Sequence, residues 1–264
     1  RVPAENLLGE EGKGFKIAMH ILNSGRTGLG GGCVGGMKRL IALATKQANE
    51  RVQFGKKISE FGLVKKKVGE IVIDCYAAES VVSMVAGFTD SGHKDYAIEA
   101  AISKVFSSEA LWRTADEALQ IAAGNGYMSE YPYERAMRDS RINRIFEGTN
   151  DILHMFIALS AMDDVGQNLK EIAQSVRGVF NDPIKGFGVL SDYALRRATL
   201  ATGIRREHFQ FTKLPEVLKA EQEVFESATR ELAEATDRIL RKHGKGIIGK
   251  QFASARLAEV MIHL

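Results

Sequence analysis

Cysteine is scarce in this chain. Cys33 and Cys75 are two among 264 residues, too few for a disulfide-dense secreted scaffold or a four-thiolate metal site. A charge excess is lacking as well: 36 Lys plus Arg against 33 Asp plus Glu leave a net +3, without the bulk or clustered basicity of a nucleic-acid binder. No uninterrupted apolar run approaches the ~18 residues of a membrane-crossing helix, so no span is expected. The six histidines, His20, His93, His154, His208, His243 and His263, show no H-x-x-H or H-E-x-x-H spacing, so a metal site is not expected. No G-x-S-x-G elbow marks a serine nucleophile. An initiator Met, an apolar signal core and a transit-type segment are all missing from the start, Arg1-Val2-Pro3. The chain reads as a piece of a longer protein, and the missing leader says nothing about location.

Proline is rare too: Pro3, Pro132, Pro183 and Pro215 are the only four. Its ring removes a donor and clashes with the preceding turn, so long proline-free stretches are open to helix. Val64, Val68, Ile71, Cys75, Ala78, Val82 and Val85 recur at steps of three and four, one face of a helix of about 25 residues. Ile98, Ala101, Val105, Ser108, Trp112, Ala115 and Leu119 repeat the pattern and stop near Gly124-Asn125-Gly126. Another helix is expected from about Gly25 to Gln53, with Leu40, Ala44 and Ala48 inward, and a fourth after Gly148, capped by Thr149 and carrying Ile152, Phe156 and Leu159. Long helices with short joints predict an all-α fold, an antiparallel four-helix bundle. Sustained period-two alternation is missing, so no sheet is expected beyond a short piece at residues 1–8.

Residues 178–216 hold two prolines, four glycines and the pairs Arg196-Arg197 and Arg205-Arg206. This reads as a connector with one short amphipathic helix near 189–201. Within 186–210, Leu190, Tyr193, Leu195, Leu200 and Ile204 stand beside the four arginines, a segment suited either to an anionic membrane surface or to a solvated loop. Val217, Ala220, Val224, Ala228, Leu232, Ala235 and Ile239 then mark a long helix. It should stop at Lys242-His243-Gly244, where cations meet the negative dipole end and glycine takes the left-handed turn. A further helix is expected to begin within 247–264.

Gly30-Gly31-Gly32-Cys33-Val34-Gly35 fits G-x-G-x-x-G formally, but a dinucleotide fingerprint needs a strand before it. Here the context is helical, and close approach of two helix backbones is the better account. In Arg138 to Asp151, Glu147 follows an apolar pair and precedes Gly148-Thr149 at a helix start. A Glu there is commonly a cap or a surface residue. The functional alternative is a carboxylate held on a tight turn against apolar walls, where loss of water strengthens it as a base.

Five blocks carry a resemblance. Arg51-Val52-Gln53-Phe54-Gly55-Lys56, Gln120 to Tyr127 (QIAAGNGY), Tyr131-Pro132-Tyr133-Glu134-Arg135, Arg138-Asp139 and Phe146-Glu147-Gly148-Thr149-Asn150 resemble the acyl-CoA dehydrogenases in order and spacing. Met19 to Arg26 and the extra C-terminal helices are similar to the very-long-chain branch, which also includes a paralogue acting in respiratory complex I assembly. The resemblance implies residues 1–24 as the end of a middle β-domain and linker, 25–165 as the helical bundle and 166–264 as a helical extension.

It also implies an FAD-dependent oxidation of a long or very long acyl-CoA to the trans-2-enoyl-CoA. Glu147 would be the base that takes the α-proton, with its backbone N–H donating to the thioester carbonyl. Asn23, Ser24, Gly25, Arg26 and Gly148 would meet substrate. Thr149 and Asn150 would touch the flavin on the Glu147 side. Arg51, Phe54, Phe61, Gln120 and Gly124 would meet the FAD of a neighbouring subunit, which requires a homodimer. An electron-transferring flavoprotein would accept the electrons, and the location would be the matrix side of the mitochondrial inner membrane, with contact through 186–210. The alternative function is a protein–protein assembly scaffold of the same fold. Two positions depart from the family pattern: Ala123 replaces the first glycine of a Gly-Gly pair, and His154 stands where an arginine is usual.

Overall fold

The structure is a computed structural model that describes residues 1–177 and 214–264. The chain divides into two compact units, Arg1–Leu153 and His154–Leu264. Long helices dominate both, as the rarity of proline predicts.

In the first unit α1 is Gly14–Glu50, α2 is Gly62–Asp90 and α3 is Ala97–Ala122. The spaced apolar positions face inward: Cys75 and Ala78 of α2, Ala115 and Ala118 of α3, and Leu40, Ala44 and Ala48 of α1 share one core. Cross-helix ion pairs reveal the directions. Lys67 meets Glu117, Asp74 meets Arg113, and Glu79 meets Lys38. The first two pairs set α2 antiparallel to α3; with Gly30 against Val82 and Ser103, and Gly36 against Leu111, α1 runs antiparallel to α2 and parallel to α3. The glycine run is only partly explained by close approach. A β-carbon at Gly30 would stand 2.8 Å from Ser103 Oγ and 2.9 Å from Val82 Cγ2, whereas Gly31, Gly32 and Gly35 face open space.

Several expectations need correction. Helix α1 begins at Gly14, not near Gly25, and ends at Glu50 rather than Gln53. Residues 4–6 form a 3-10 turn, not a strand. The paired strands among the described residues are β1, Val52–Gln53, and β2, Lys56–Lys57. Phe54 and Gly55 join them with φ of +52° and +80°, the two-residue turn whose twist matches a hairpin. Strands this short cannot show a period of two. By length and composition α2 is apolar enough to cross a membrane, which the test for an uninterrupted run misses. Its packing and its ion pairs to α1 and α3 make it a bundle helix here.

Two short helices, α4 (Gly124–Tyr127) and α5 (Pro132–Ile142), follow α3. Pro132 sits in the first turn of α5, where its missing N–H leaves no gap. Helix α6, Asn150–Arg177, starts in the first unit and continues into the second. Thr149 caps it as expected, its Oγ1 accepting from the Ile152 N–H at 3.3 Å.

In the second unit α7 is Lys219–His243 and α8 is Gln251–His263. The stop at Gly244 is present, with φ +50°. No side chain of α7 is buried, and Val217 and Val224 of its expected stripe are exposed. The connector, the helix expected near 189–201 and the basic segment 186–210 lie outside the described residues.

Candidate active site

Between α5 and α6 the chain turns sharply. Phe146 N–H donates to Ile142 O at 3.1 Å, and Asn150 N–H donates to Arg144 O at 3.0 Å. Inside this turn Glu147 has φ +59° and Gly148 has φ +93°. An L side chain in the left-handed region costs about 1–2 kcal/mol. Such a conformation persists where its surroundings enforce it.

Two cations do so. Arg26 Nε donates to Glu147 O at 3.2 Å, while its Nη1 donates to Asn23 Oδ1 at 3.1 Å. Lys104 Nζ donates to Gly148 O and to Asn150 Oδ1, each at 2.7 Å. Asn150 Nδ2 in turn donates to Ser108 Oγ at 3.0 Å and to Glu109 Oε1 at 2.7 Å, and Arg144 Nε reaches the same Oε1 at 2.8 Å. Arg26 is 4% exposed and Lys104 is fully buried.

The Glu147 carboxylate lies on the backbone of α1. A β-carbon at Gly25 would be 3.0 Å from Glu147 Oε2 and 3.3 Å from its Cδ. Glycine inside a helix costs about 1 kcal/mol against alanine, and here it makes room for a carboxylate. Glu147 Oε2 is buried and accepts no hydrogen bond among the described residues. A buried oxygen without a donor is expensive. No backbone carbonyl among the described residues accepts from the Glu147 N–H. Around the carboxylate, Ile21, Ser24, Gly25 and Gly28 are exposed along α1, an open strip at helical spacing.

Burial lowers the Arg26 pKa, and Glu147 partly offsets this. Burial, then the charge of Arg26, pushes Lys104 down to about 8, against Cys33, Glu109 and Glu147. Burial pushes the Cys33 thiol up to about 11, so it is a packing residue and not a nucleophile.

The remaining candidates sit elsewhere. Arg51 caps the C-terminal end of α1. Phe54 is 92% exposed, edge-on to Phe61 at 6.2 Å, and Lys56 Nζ stands 4.3 Å from the centroid of Phe61. Gln120 and Gly124 are exposed at the C-terminal end of α3, the same end of the bundle because α1 and α3 are parallel. Arg26 and Arg51 are separated by about 37 Å along α1. The predicted residues therefore form two groups: Asn23 to Arg26 with Glu147 to Asn150, and Arg51, Phe54 and Phe61 with Gln120 and Gly124. The Asn150 side chain is buried and hydrogen-bonded to Lys104, Ser108 and Glu109, which ties the turn to α3. Ala123 keeps a glycine-like backbone, φ +55° and ψ −132°.

Residues 12–162 match the acyl-CoA dehydrogenase C-terminal domain family. The chain belongs to the acyl-CoA dehydrogenases. It is 43% identical over 264 residues to the human mitochondrial very long-chain specific acyl-CoA dehydrogenase, covering all of this chain and 40% of that protein. An acyl-CoA dehydrogenase from Bacillus anthracis, solved in complex with FAD, is similar over 99% of this chain and 44% of its own, at 31% identity and a TM-score of 0.81. The butyryl-CoA dehydrogenase of Megasphaera elsdenii is similar over 61% of this chain and 42% of its own, at 41% identity and a TM-score of 0.59. The chain thus spans about two fifths of the length of the curated relatives it matches over its whole length.

Sequence reasoning missed Lys104, Ser108, Glu109 and Arg144. A signal existed: Lys104 interrupts the inward stripe of α3 between Ala101 and Ser108. His154, the other departure from the family pattern, accepts or donates a 2.7 Å hydrogen bond with Glu259 of α8.

Proposed function

We propose that this chain is the base-bearing helical part of an FAD-dependent acyl-CoA dehydrogenase acting on long or very long acyl chains in fatty acid β-oxidation. The observation that carries the reading is the Glu147 carboxylate, held against Gly25 with Oε2 buried and unpartnered. An α-proton of a thioester is a weak acid, and it becomes removable when donors hold the carbonyl where negative charge develops. Glu147 takes that proton at Oε2. Its own N–H is available to donate to the thioester oxygen. Arg26, bonded to the Glu147 carbonyl, keeps a positive charge beside the base and fixes the turn. FAD, when bound, supplies the acceptor for the hydride leaving the β-carbon.

The residues present fit such a cofactor at two partial surfaces. Thr149 and Asn150 would hold a flavin beside Glu147. The exposed Phe54, with Arg51, Phe61, Gln120 and Gly124, would hold the other surface, where the arginine fork suits a pyrophosphate. The length of α1 between them supports one flavin from each of two subunits, hence a homodimer. A mitochondrial location follows the human relative's name. Inner-membrane contact through 186–210 and an electron-transferring flavoprotein as acceptor complete the reading.

The test is flavin bleaching by palmitoyl-CoA in the full-length protein. The wild type should bleach, and Glu147→Gln should stay coloured and unbleached, a loss of about 100-fold or more. Bleaching of the variant at the wild-type rate would refute the assignment, and a colourless wild type would favour the assembly scaffold. Liposome binding unchanged by replacing Arg196, Arg197, Arg205 and Arg206 would refute the membrane contact.

A further inference from the structure

The dehydrogenase reading leaves a buried cation unused. Lys104 is fully buried on α3, and a lysine is almost never so placed unless its ammonium is satisfied. Here it is satisfied by the turn that carries the base: Gly148 O and Asn150 Oδ1, both at 2.7 Å. Arg26 holds the preceding carbonyl, Glu147 O, at 3.2 Å. Two cations from two helices therefore hold consecutive carbonyls of two consecutive left-handed residues. Turning either peptide would break one of these bonds and swing the carboxylate off Gly25.

We propose that Lys104 is a positioning residue for the reaction: its charged hydrogen bond to Gly148 O, locked through Asn150, Ser108 and Glu109, aims the Glu147 carboxylate at the substrate α-carbon. The inference rests on the dehydrogenase reading. Lys104 touches neither substrate nor flavin; it acts through the turn. A hydrogen bond from an ammonium is stronger than one from an amine, so the clamp should loosen when Lys104 loses its proton. The groups facing it are Arg26 and Cys33 on α1, Glu109 on α3, and Glu147 in the turn, with Arg144 bound to Glu109. Burial and Arg26 bring that proton loss to about 8. Activity should fall to a lower plateau as pH rises through this value. Stability should move the opposite way. The unfolded chain keeps the proton to about 10.5 while the folded chain releases it near 8. Between these values the unfolded state binds more protons, and the contribution of Lys104 to stability increases with pH.

The experiment uses the full-length flavoprotein, reading the rate of flavin bleaching at saturating palmitoyl-CoA against pH. Lys104→Met keeps the length and removes the donors. It should lower the saturating rate about 100-fold, the scale of a misplacement near 1 Å, leave the half-saturating concentration of palmitoyl-CoA unchanged, and abolish the alkaline step. Glu109→Gln keeps an acceptor for Asn150 and Arg144 but removes a charge that favours the protonated lysine, so the step should move to lower pH. This second variant decides the matter if Lys104→Met does not fold. A wild-type profile in Glu109→Gln, or a wild-type rate and step in Lys104→Met, would overturn the proposal. Failure of the reading itself looks different: Glu147→Gln would then bleach like the wild type.

Discussion

A methyl group at position 25 would collide with Glu147 Oε2 at 3.0 Å. Gly25→Ala therefore separates stability from activity. The helix gains up to about 1 kcal/mol in propensity, while the carboxylate is pushed away. We expect a thermal midpoint at least as high as that of the wild type and a bleaching rate down about 10- to 100-fold; a wild-type rate would show that the contact is not the productive one. Ala123 gives a second prediction. Its φ of +55° and ψ of −132° belong to glycine, so Ala123→Gly should stabilise the protein by up to about 1 kcal/mol in urea unfolding, after the greater entropy of the unfolded glycine is subtracted. The sequence pointed to Glu147 and to the oddity of Ala123. It could not show that Gly25 is the floor beneath the carboxylate, because the two positions meet only after α1 and the α5–α6 turn are packed.

At the scale of the element, the glycines of α1 divide by what faces them. Gly30 touches Val82 and Ser103 at 2.9 Å and 2.8 Å for an added β-carbon, so Gly30→Val should cost about 1–3 kcal/mol by overpacking. Gly31 faces open space in this chain, and Gly31→Ala should gain up to about 1 kcal/mol. Chemical denaturation of both variants checks the contrast, and equal effects would refute it. The stripe on α2 was legible because period and burial coincide; on α3 the buried face is broader than the expected stripe and takes in Lys104, Ser107, Leu111 and Thr114. The start of α1 was not: Gly25 resembled a boundary, and its reason for lying inside a helix is a distant carboxylate. The hairpin at 52–57 escaped because two residues per strand carry no period, although Phe54-Gly55 held the turn.

At the scale of the molecule, the two groups of candidate residues, one around Glu147 and Arg26 and the other around Arg51, lie about 37 Å apart along α1. The chain spans about two fifths of the relatives it matches along its full length. Expressed alone, it is expected neither to retain FAD nor to oxidise palmitoyl-CoA. Appreciable flavin absorbance after gel filtration would refute this. The sequence by itself determined the all-α class, the inward face of α2, the turn at Glu147 and the family, since each is written in local spacing or in ordered motifs. Tertiary structure alone decided that Arg26 and Lys104 hold neighbouring carbonyls, that Asn150 faces inward and that Glu147 Oε2 lies buried without a donor. Those facts depend on residues up to 121 positions apart, brought together by helix direction and close packing, which no local pattern encodes.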